Sequence, residues 1–509
     1  MEKKYLLGYD IGTSGSKGVI IDLAGNVLAS GSMEHNVEIP RPAWAEQNAE
    51  TIYWGEFQSI VKSIIQKAKI NPEEIAGIGV SGLTPDAIPV DKSGNALRNC
   101  IIYMDRRATA ECDWCAKEIG EDAIFNVAAN IIDPYYAGYK CMWVKNNEPD
   151  VYAKTWKFLN SHAFVVLKLT GQAVVDKGVA GLFAPFFNNY ELKWDEEMIK
   201  RCGMDPDKFP KAYNASDVVG YVTTEAAEKC GLCPGIPVVA GGGVDASASG
   251  LSTGMTTPGE STCMCGTTHC WMVVLDKPVF DKGFINFPHQ VPGTWLALAG
   301  LGTSGGVVKW YRDNFGDAEM EYQSKRGVSA YELLNLEAER VPKGSDGLVL
   351  LPYFMGERSP IWDPKARGMF FGLSLYHTRG HMFRAIIEGI AYALEHHAVA
   401  LRAEGMMPKR VIVTDGGAAS NLERQIFADV LKVPIDYASK VAGAPVADAF
   451  LAGLGVGIYK DYDEIKNWAH CDITNDPDPS AAAVYDKLFD VYVKLYKNTK
   501  EEMHILADM

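Results

Sequence analysis

The 509-residue chain has no run of about 20 apolar residues, which is the length that an α-helix needs to span a bilayer. It also has little positive charge: 49 Lys and Arg stand against 64 Asp and Glu, so the formal net charge is −15. A nucleic-acid-binding surface needs a basic face, and we therefore expect no nucleic-acid partner. No apolar stretch with a cleavage site follows the first residues. The expected location is cytoplasmic, with no membrane partner.

Convincing metal-binding patterns of cysteine are also lacking among the eleven cysteines. Two pairs have the spacing of metal ligands, but neither has a His or Cys partner at zinc-finger distance. These pairs are Cys112 with Cys115 and Cys230 with Cys233. We interpret both pairs as incidental thiols, and we expect Cys263, Cys265 and Cys270 to pack in the core. Cytosolic thiols are normally reduced, so the cysteines should be free.

The length predicts two domains, because one hydrophobic core rarely supports 509 residues. Hydrophobic residues make up 47% of the chain and charged residues 22%, as in ordinary globular proteins. No long linker or low-complexity segment divides the sequence. We expect domains at 1–249 and 250–509 that meet along a cleft.

Strand-like and helix-like segments alternate along the chain, which indicates an α/β fold. Strands are expected at 5–10, 18–23, 26–33 and 75–80, and helices at 51–69, 381–402 and 480–509. The order of strand, Gly/Thr-rich turn and strand in 5–21 returns in 259–274. This repetition predicts an internal duplication of one structural unit.

Two carboxylates, Asp10 and Asp245, each border a glycine-rich turn beside an apolar strand-like run. Backbone N–H groups in such turns can close on a phosphate, and the carboxylate can lie near a metal ion. Two such sites in one chain suggest a two-lobed phosphoryl-transfer enzyme. One carboxylate would lie near the metal and the other near the acceptor hydroxyl.

The segment Gly12–Lys17 is not a Walker A loop, because too few residues separate its glycines and a strand follows. A Rossmann fingerprint fails as well, since no helix begins at the turn. The segment is either an ordinary hairpin or a hairpin that caps a phosphate. Similar glycine turns at 266–268 and 415–418 favour the second interpretation.

Several segments together resemble the FGGY family of carbohydrate kinases. Residues 368–373 and 381–388 resemble its second signature, 351–360 its Gly-Glu-Arg-x-Pro stretch, and 140–147 its first signature, which departs at Ala137. The resemblance covers nearly the whole chain and looks most like the xylulokinase branch. It implies two actin-like (ribonuclease H-like) ATPase domains with a cleft between them.

The resemblance also implies ATP and Mg²⁺, with Asp245 as the base for the acceptor hydroxyl and Asp10 as the metal ligand. The positions that match nucleotide-binding residues of the family are Gly12, Thr13, Ser14, Gly15, Lys17, Gly266, Thr267, Thr268, Gly305, Lys309, Gly416, Gly417 and Asn421. Glu357 and Arg358 are assigned a structural role beneath the cleft and are not counted among the site residues.

The acceptor is less well defined. The expected acceptor-binding residues are Thr84, Pro85, Asp86, Asp105, Tyr135 and Asp245. The loop 83–86 matches neither the xylulokinase nor the glycerol-kinase pattern and does not identify the acceptor. The overall spacing of the motifs looks more like the xylulokinase branch, so we expect a pentulose such as xylulose or a related ketose. The alternatives are another polyol or a sugar acid, of the glycerol, erythritol or gluconate type, or a non-catalytic nucleotide-switched sugar sensor. The expected partners are a small sugar or polyol and, as one option, a second copy of the chain in a homodimer.

Overall fold

A computed structural model describes residues 2–278, 281–439 and 443–509. It contains two seven-stranded mixed sheets. The first, the N-terminal sheet, has the strand order Val218–Tyr221, Pro237–Val239, Ile75–Gly82, Tyr5–Ile11, Gly15–Asp22 and Val27–Glu34, with Gly243–Val244 also paired to Ile75–Gly82. The second, the C-terminal sheet, has the order Ile285–Pro288, Trp295–Gly300, His269–Leu275, Ser261–Cys265, Val411–Thr414, Ile435–Tyr437 and Ile473–Asn475.

The two sheets are built on one plan. In each, an antiparallel meander of three strands pairs through its first strand with two parallel strands, and an antiparallel strand follows at the edge. The C-terminal sheet has the same six strands in the same directions and adds Ile285–Pro288 beyond the meander. The predicted internal duplication is confirmed.

Helices cover both sheets, and short two-stranded pairs decorate them. The helices are Gly55–Ala68, Thr109–Glu118, Glu121–Ala128, Ala137–Asn147, Pro149–Lys154, Ser161–Thr170, Lys177–Ala180, Glu196–Arg201, Thr224–Cys230, Asp245–Ser252, Gly305–Phe315, Asp317–Arg326, Ala330–Glu339, Arg379–Ala403, Asp415–Ala418, Asn421–Leu431, Ala444–Gly455 and Ala482–Ala507. The short pairs are Glu46–Gln47 with Cys100–Ile101, Ile88–Val90 with Lys157–Leu159, Val174–Asp176 with Lys211–Tyr213, Phe187–Asn188 with Lys193–Trp194, and Val349–Leu351 with Met369–Phe371.

The strand Ile75–Gly82 is buried along its whole length, as expected for a strand with helices on both faces. One of those helices, Ala444–Gly455, comes from near the end of the chain. A Cβ atom at Gly8 would lie 1.7 Å from the Pro445 carbonyl oxygen, and one at Gly79 would lie 2.1 Å from that of Asp448. The glycines therefore let this late helix rest directly on the N-terminal sheet. The domain division at 1–249 and 250–509 stays a prediction.

The predicted elements agree with the observed ones. The helix expected at 51–69 is a π-helix at Ala49–Trp54 followed by the α-helix Gly55–Ala68, and it stops at Lys69, which has left-handed backbone angles. All eleven cysteines are free, as predicted. Within the part of the chain that the structure describes, no helix is long and apolar enough to cross a membrane.

Candidate active site

A row of four residues crosses the N-terminal sheet at the end where its parallel strands finish. Gly243 pairs with Ser81, Ser81 with Asp10, and Asp10 with Lys17. Asp245 follows Gly243 by two positions and begins the helix Asp245–Ser252. Sheet pairing therefore brings two carboxylates that are 235 positions apart in sequence to the same end of the sheet.

Both carboxylates are mostly covered by protein, and each keeps a minor exposed fraction. Asp10 Oδ1 accepts a hydrogen bond of 3.0 Å from Ser81 Oγ, and Asp245 Oδ1 accepts one of 2.7 Å from the N–H of Ala246. Burial raises the pKa of Asp10, although Ser81 and the charge of Lys17 oppose it. Burial and then the negative charge of Asp10 raise the pKa of Asp245. Asp245 is consequently a stronger proton acceptor, once ionised, than an ordinary aspartate.

A third buried carboxyl group, Asp448, belongs to this cluster. Its Oδ2 lies 2.7 Å from Ser81 Oγ, the same hydroxyl that donates to Asp10. Burial and the charge of Asp10 raise the pKa of Asp448 well above its usual range. Since Ser81 has one proton, a protonated Asp448 that donates to Ser81 completes an ordered chain of hydrogen bonds ending on ionised Asp10.

The turn 12–15 follows Asp10 directly. The N–H of Gly12 donates to the Gly15 carbonyl oxygen at 3.0 Å, and a Cβ atom at Gly12 would lie 2.8 Å from that oxygen. Thr13 Oγ1 donates to the hydroxyl of Tyr103 at 3.3 Å, and Ser14 is exposed. The turn is thus tight, is held by the hydrogen bond between Thr13 and Tyr103, and is exposed to solvent at Ser14.

The C-terminal half supplies an opposing turn at 266–268. The Thr267 carbonyl oxygen accepts from the N–H groups of Ser304 and Gly306, at 3.2 and 2.9 Å. A Cβ atom at Gly305 would lie 2.3 Å from the Gly266 carbonyl oxygen. The helix Gly305–Phe315 therefore begins against this turn, and only glycine permits the approach.

The third predicted nucleotide turn follows the strand Val411–Thr414. Asp415 has φ of 70°, a left-handed conformation that costs energy for a residue with a Cβ atom. Gly416 and Gly417 continue it in the short helix Asp415–Ala418. Burial raises the pKa of Asp415, while the charge of Lys17 opposes the rise. Lys17 of one half is therefore near enough to Asp415 of the other for its charge to act on this carboxyl group.

Two predicted nucleotide contacts lie further out. Asn421 begins the helix Asn421–Leu431, and its Oδ1 accepts from Asn475 Nδ2 at 3.1 Å. Lys309 is largely exposed and pairs with Asp313 one turn along the same helix. Their contact with nucleotide stays a prediction, as do the roles of the other predicted site residues.

The loop 84–86 is buried beneath the carboxylate cluster. Asp86 Oδ2 accepts from the N–H of Ser161 at 2.7 Å and lies 3.3 Å from Cys100 Sγ. Burial raises the pKa of Asp86 to about 7, although these hydrogen bonds lower it. Thr84 Oγ1 donates to the Leu83 carbonyl oxygen at 2.7 Å. Pro85 lies between Thr84 and Asp86 and is buried like them. Asp86 thus anchors the first turn of the helix Ser161–Thr170 beside the site.

Asp105 is engaged by protein groups on both carboxylate oxygens. Its Oδ2 accepts from the N–H of Ala45 and from Arg107 Nη2, both at 2.6 Å, and its Oδ1 accepts from the Arg107 N–H at 2.9 Å. The Arg107 guanidinium also lies 3.8 Å from the centre of the Trp44 ring. Protein groups therefore engage both oxygens of Asp105, and its contact with the acceptor stays a prediction.

Tyr135 lies near two residues, Tyr103 and Arg358, that the sequence analysis did not assign to the site. Its ring meets that of Tyr103 edge-on, with centroids 6.2 Å apart. Burial raises the pKa of both hydroxyls, and the charge of Asp245 adds to the rise while that of Arg358 opposes it. Arg358 Nη2 donates to the Leu301 carbonyl oxygen at 3.1 Å. Tyr103 and Tyr135 are therefore near enough to both Asp245 and Arg358 for these two charges to act on their hydroxyl groups.

Four residues of this site were not assigned to it from the sequence: Ser81, Tyr103, Arg358 and Asp448. Asp448 had a usable signal, because it is the one charged residue in the small and apolar stretch Ala444–Gly455. Arg358 had none, since a Gly-Glu-Arg turn is equally typical of a structural ion pair. Ser81 could be identified only from its sheet partners.

Comparison with known proteins identifies the family. Residues 5–251 match the N-terminal domain of the FGGY family of carbohydrate kinases, and residues 261–455 match its C-terminal domain. Gluconokinase of Bacillus subtilis is 28% identical over 99% of this chain and 98% of its own length, and xylulose kinase of Lactococcus lactis is 28% identical over 99% of both.

The structure is similar to that of xylulose kinase from Rhodospirillum rubrum, with a TM-score of 0.89 and 30% identity over 98% of this chain and 100% of that one. Such kinases have the two-domain actin-like ATPase fold, so the predicted fold class is confirmed. The chain belongs to the FGGY family of carbohydrate kinases.

Proposed function

We propose that this kinase phosphorylates a hydroxyl group of a pentulose such as xylulose, or of a related ketose, with Asp245 as the base. FGGY kinases use ATP as the phosphoryl donor. The observation that carries the proposal is the row Gly243, Ser81, Asp10 and Lys17, which puts Asp245 beside Asp10 at one sheet edge.

The reaction balances on these groups. The acceptor oxygen forms a bond to the γ-phosphorus of ATP, the bond from that phosphorus to the bridging oxygen breaks, and ADP takes the electron pair. The hydroxyl proton goes to Asp245 Oδ. Tyr103 and Tyr135 close the space next to Asp245, which keeps the acceptor oriented and water out.

Asp10 is the proposed Mg²⁺ ligand. It offers a hard carboxylate oxygen at a glycine turn, keeps a minor exposed fraction, and is held by Ser81 on one oxygen, and a carboxylate oxygen of this kind fits Mg²⁺. A bound Mg²⁺ would supply positive charge for the phosphate oxygens. Ser81 would hold the Asp10 carboxylate in a fixed orientation towards it. The amides of 12–15 and the charge of Lys17 would face the phosphates.

A sugar acid is the second candidate acceptor, and one observation favours it. Arg358 faces the same space as Asp245, Tyr103 and Tyr135, and its guanidinium is bonded on one side to a backbone carbonyl. A guanidinium can hold a carboxylate by two parallel hydrogen bonds. With a ketose, the same group would donate to the carbonyl oxygen or to hydroxyl groups.

An ADP-release assay over a panel of acceptors tests the proposal. The panel contains xylulose and other ketoses, glycerol, erythritol and gluconate. We expect ketose-stimulated ADP formation in the wild type. If gluconate alone stimulates it, the second candidate replaces the first. ATP hydrolysis that is indifferent to every acceptor would instead support the nucleotide-switched sensor.

Arg358→Lys sharpens the choice between the two candidates. Lysine keeps the positive charge but loses the planar fork, so a carboxylate acceptor should lose affinity far more than a neutral ketose. The measurement is the ratio of kcat/KM for the two acceptor classes in variant and wild type. Arg326→Lys, the same change on an exposed residue at the end of the helix Asp317–Arg326, serves as the matched control. We further propose that the protein is cytoplasmic and that two copies of the chain form a homodimer.

A further inference from the structure

A cluster of metal-ligating side chains lies beneath the turn 266–268. Cys263 and Cys265 are two positions apart on one strand, so their side chains share a face. His269 begins the next strand and pairs directly with Cys265. The two Sγ atoms are 3.9 Å apart, and one ligand atom from each of the three residues lies within 4.8 Å of the others.

His269 is the informative member of this cluster. Its side chain is fully buried, and neither ring nitrogen has a hydrogen-bond partner among the described residues. A buried polar group without a partner destabilises the folded state, so a ligand for this ring is expected. The nearest acid is Glu423, whose Oε1 lies 3.8 Å from His269 Nε2, which is too far for a hydrogen bond.

These donors match one metal in particular. Two thiolates on a tetrahedral Zn²⁺ stand about 3.8 Å apart, because each Zn–S bond is about 2.3 Å long. Mixed sulfur and imidazole ligands select zinc over the hard cations that bind only oxygen. Two thiolates and one Zn²⁺ sum to zero charge, so a carboxylate as fourth ligand leaves one negative charge. Burial raises the pKa of the nearby Glu423, while the charge of Arg424 beside it favours its ionised form.

We propose that Cys263, Cys265 and His269 bind one Zn²⁺ ion, with Glu423 as the fourth ligand. The site is separate from phosphoryl transfer. Its ligands Cys265 and His269 flank the turn 266–268, so the metal closes the base of this hairpin and fixes the turn. Glu423 Oε1 already approaches from the other side, since a Cβ atom at Gly417 would lie 2.7 Å from it and 3.0 Å from the Cys265 carbonyl oxygen.

Metal content of the full-length protein tests the proposal directly. After growth with added zinc and removal of loose metal by gel filtration, elemental analysis should find about one zinc ion per chain. Cys263→Ser combined with Cys265→Ser should abolish it. Cys230→Ser combined with Cys233→Ser, a cysteine pair outside the cluster, is the matched control and should retain it. Wild-type protein with no more zinc than the double variant overturns the proposal and leaves core packing as the role of these thiols.

Cobalt substitution gives a readout that does not depend on the folding of the cysteine variant. Protein grown with Co²⁺ should show thiolate-to-cobalt charge-transfer absorption, and His269→Gln should alter the visible bands of the bound ion while the charge transfer remains. A spectrum without charge transfer overturns the proposal. So does a disulfide between Cys263 and Cys265 in freshly purified protein, detected by a lower count of free thiols.

Discussion

The N-terminal and C-terminal sheets share a strand order and strand directions, but their equivalent positions carry different side chains. Asp10 stands two positions before Gly12 in the first hairpin, and Met264 stands two positions before Gly266 in the second. Each pairs with a hydroxyl residue on the neighbouring parallel strand, Asp10 with Ser81 and Met264 with Thr414. The duplicated backbone thus holds a carboxylate in one half and a thioether in the other.

The acid of the C-terminal half lies one strand away. Asp415 follows Thr414 with left-handed backbone angles, and the charge of Lys17 from the other half acts on its carboxyl group. Each half therefore has a carboxylate at a strand end beside a glycine turn. In the N-terminal half it is Asp10, on the first strand of the hairpin, and in the C-terminal half it is Asp415, after the neighbouring parallel strand. Duplication supplies the same turn in both halves, and individual substitutions give each turn different side chains.

The largest effect should come from Asp245→Asn. The change removes the base with little change in volume, so turnover should fall by about 10²–10⁴-fold while ATP binding persists. ADP-release kinetics and calorimetric ATP titration measure the two quantities. Asp113→Asn, on an exposed residue, is the control. Near-normal turnover of the Asp245 variant would contradict its role as base.

The comparison between the halves is tested by equivalent substitutions at Asp10 and Met264. Asp10→Asn should lower turnover by roughly 10²-fold, because a metal ion contributes several kcal/mol to the stabilisation of the transferred group. Met264→Leu, at the equivalent place, should leave turnover close to that of the wild type. Mg²⁺ titrations of activity distinguish metal binding from folding. Equal losses in both variants would mean that the two halves contribute alike.

A smaller effect is expected at Asp448, as a positioning residue. Asp448→Ala removes one hydrogen-bond partner of Ser81. The loss of one buried hydrogen bond should raise the Mg²⁺ concentration for half-maximal rate by roughly tenfold. Asp448→Asn keeps a donor and should restore most of the activity. The readout is the Mg²⁺ concentration for half-maximal rate, together with the melting temperature. An Asn variant as impaired as the Ala variant would mean that the carboxyl group acts differently.

The smallest effect concerns stability in the C-terminal half. Burial raises the pKa of Glu357 to about 7, so the folded state binds this proton more tightly than the unfolded chain does. Its contribution to stability is full at acid pH and is lost as the pH rises towards 7. Glu357→Gln should therefore reduce the loss of stability between pH 5 and 8 by on the order of 1 kcal/mol. Urea unfolding at several pH values measures it, and an unchanged slope would contradict the assignment.

The strands and long helices could be predicted because their signals are local. Alternation of apolar residues marks the strands, and the turn at Asn71-Pro72 closes the first helical region. The duplication was visible for the same reason, since the hairpins 5–21 and 259–274 repeat one order of strand and turn. Asp10 and Asp245 were recognised because each stands beside such a turn.

Neighbours across the fold could not be predicted in this way. Asp448 reaches Ser81 from a helix near the end of the chain, across a sequence distance that no local pattern encodes. Asp105 carries an acidic side chain at a suggestive position, yet Arg107 and the N–H of Ala45 occupy both of its oxygens. The geometry of these contacts depends on packing between elements.

The sequence by itself determined the elements, their duplication and the glycine turns, because backbone preferences and apolar periodicity act over a few residues. The tertiary structure alone decided which side chains share the site. Sheet register set Gly243, Ser81, Asp10 and Lys17 in one row, and helix packing on glycines brought Asp448 beneath it. The physical reason is that burial and the charge of close neighbours set the proton affinity of a carboxyl group, and both arise only when distant segments meet.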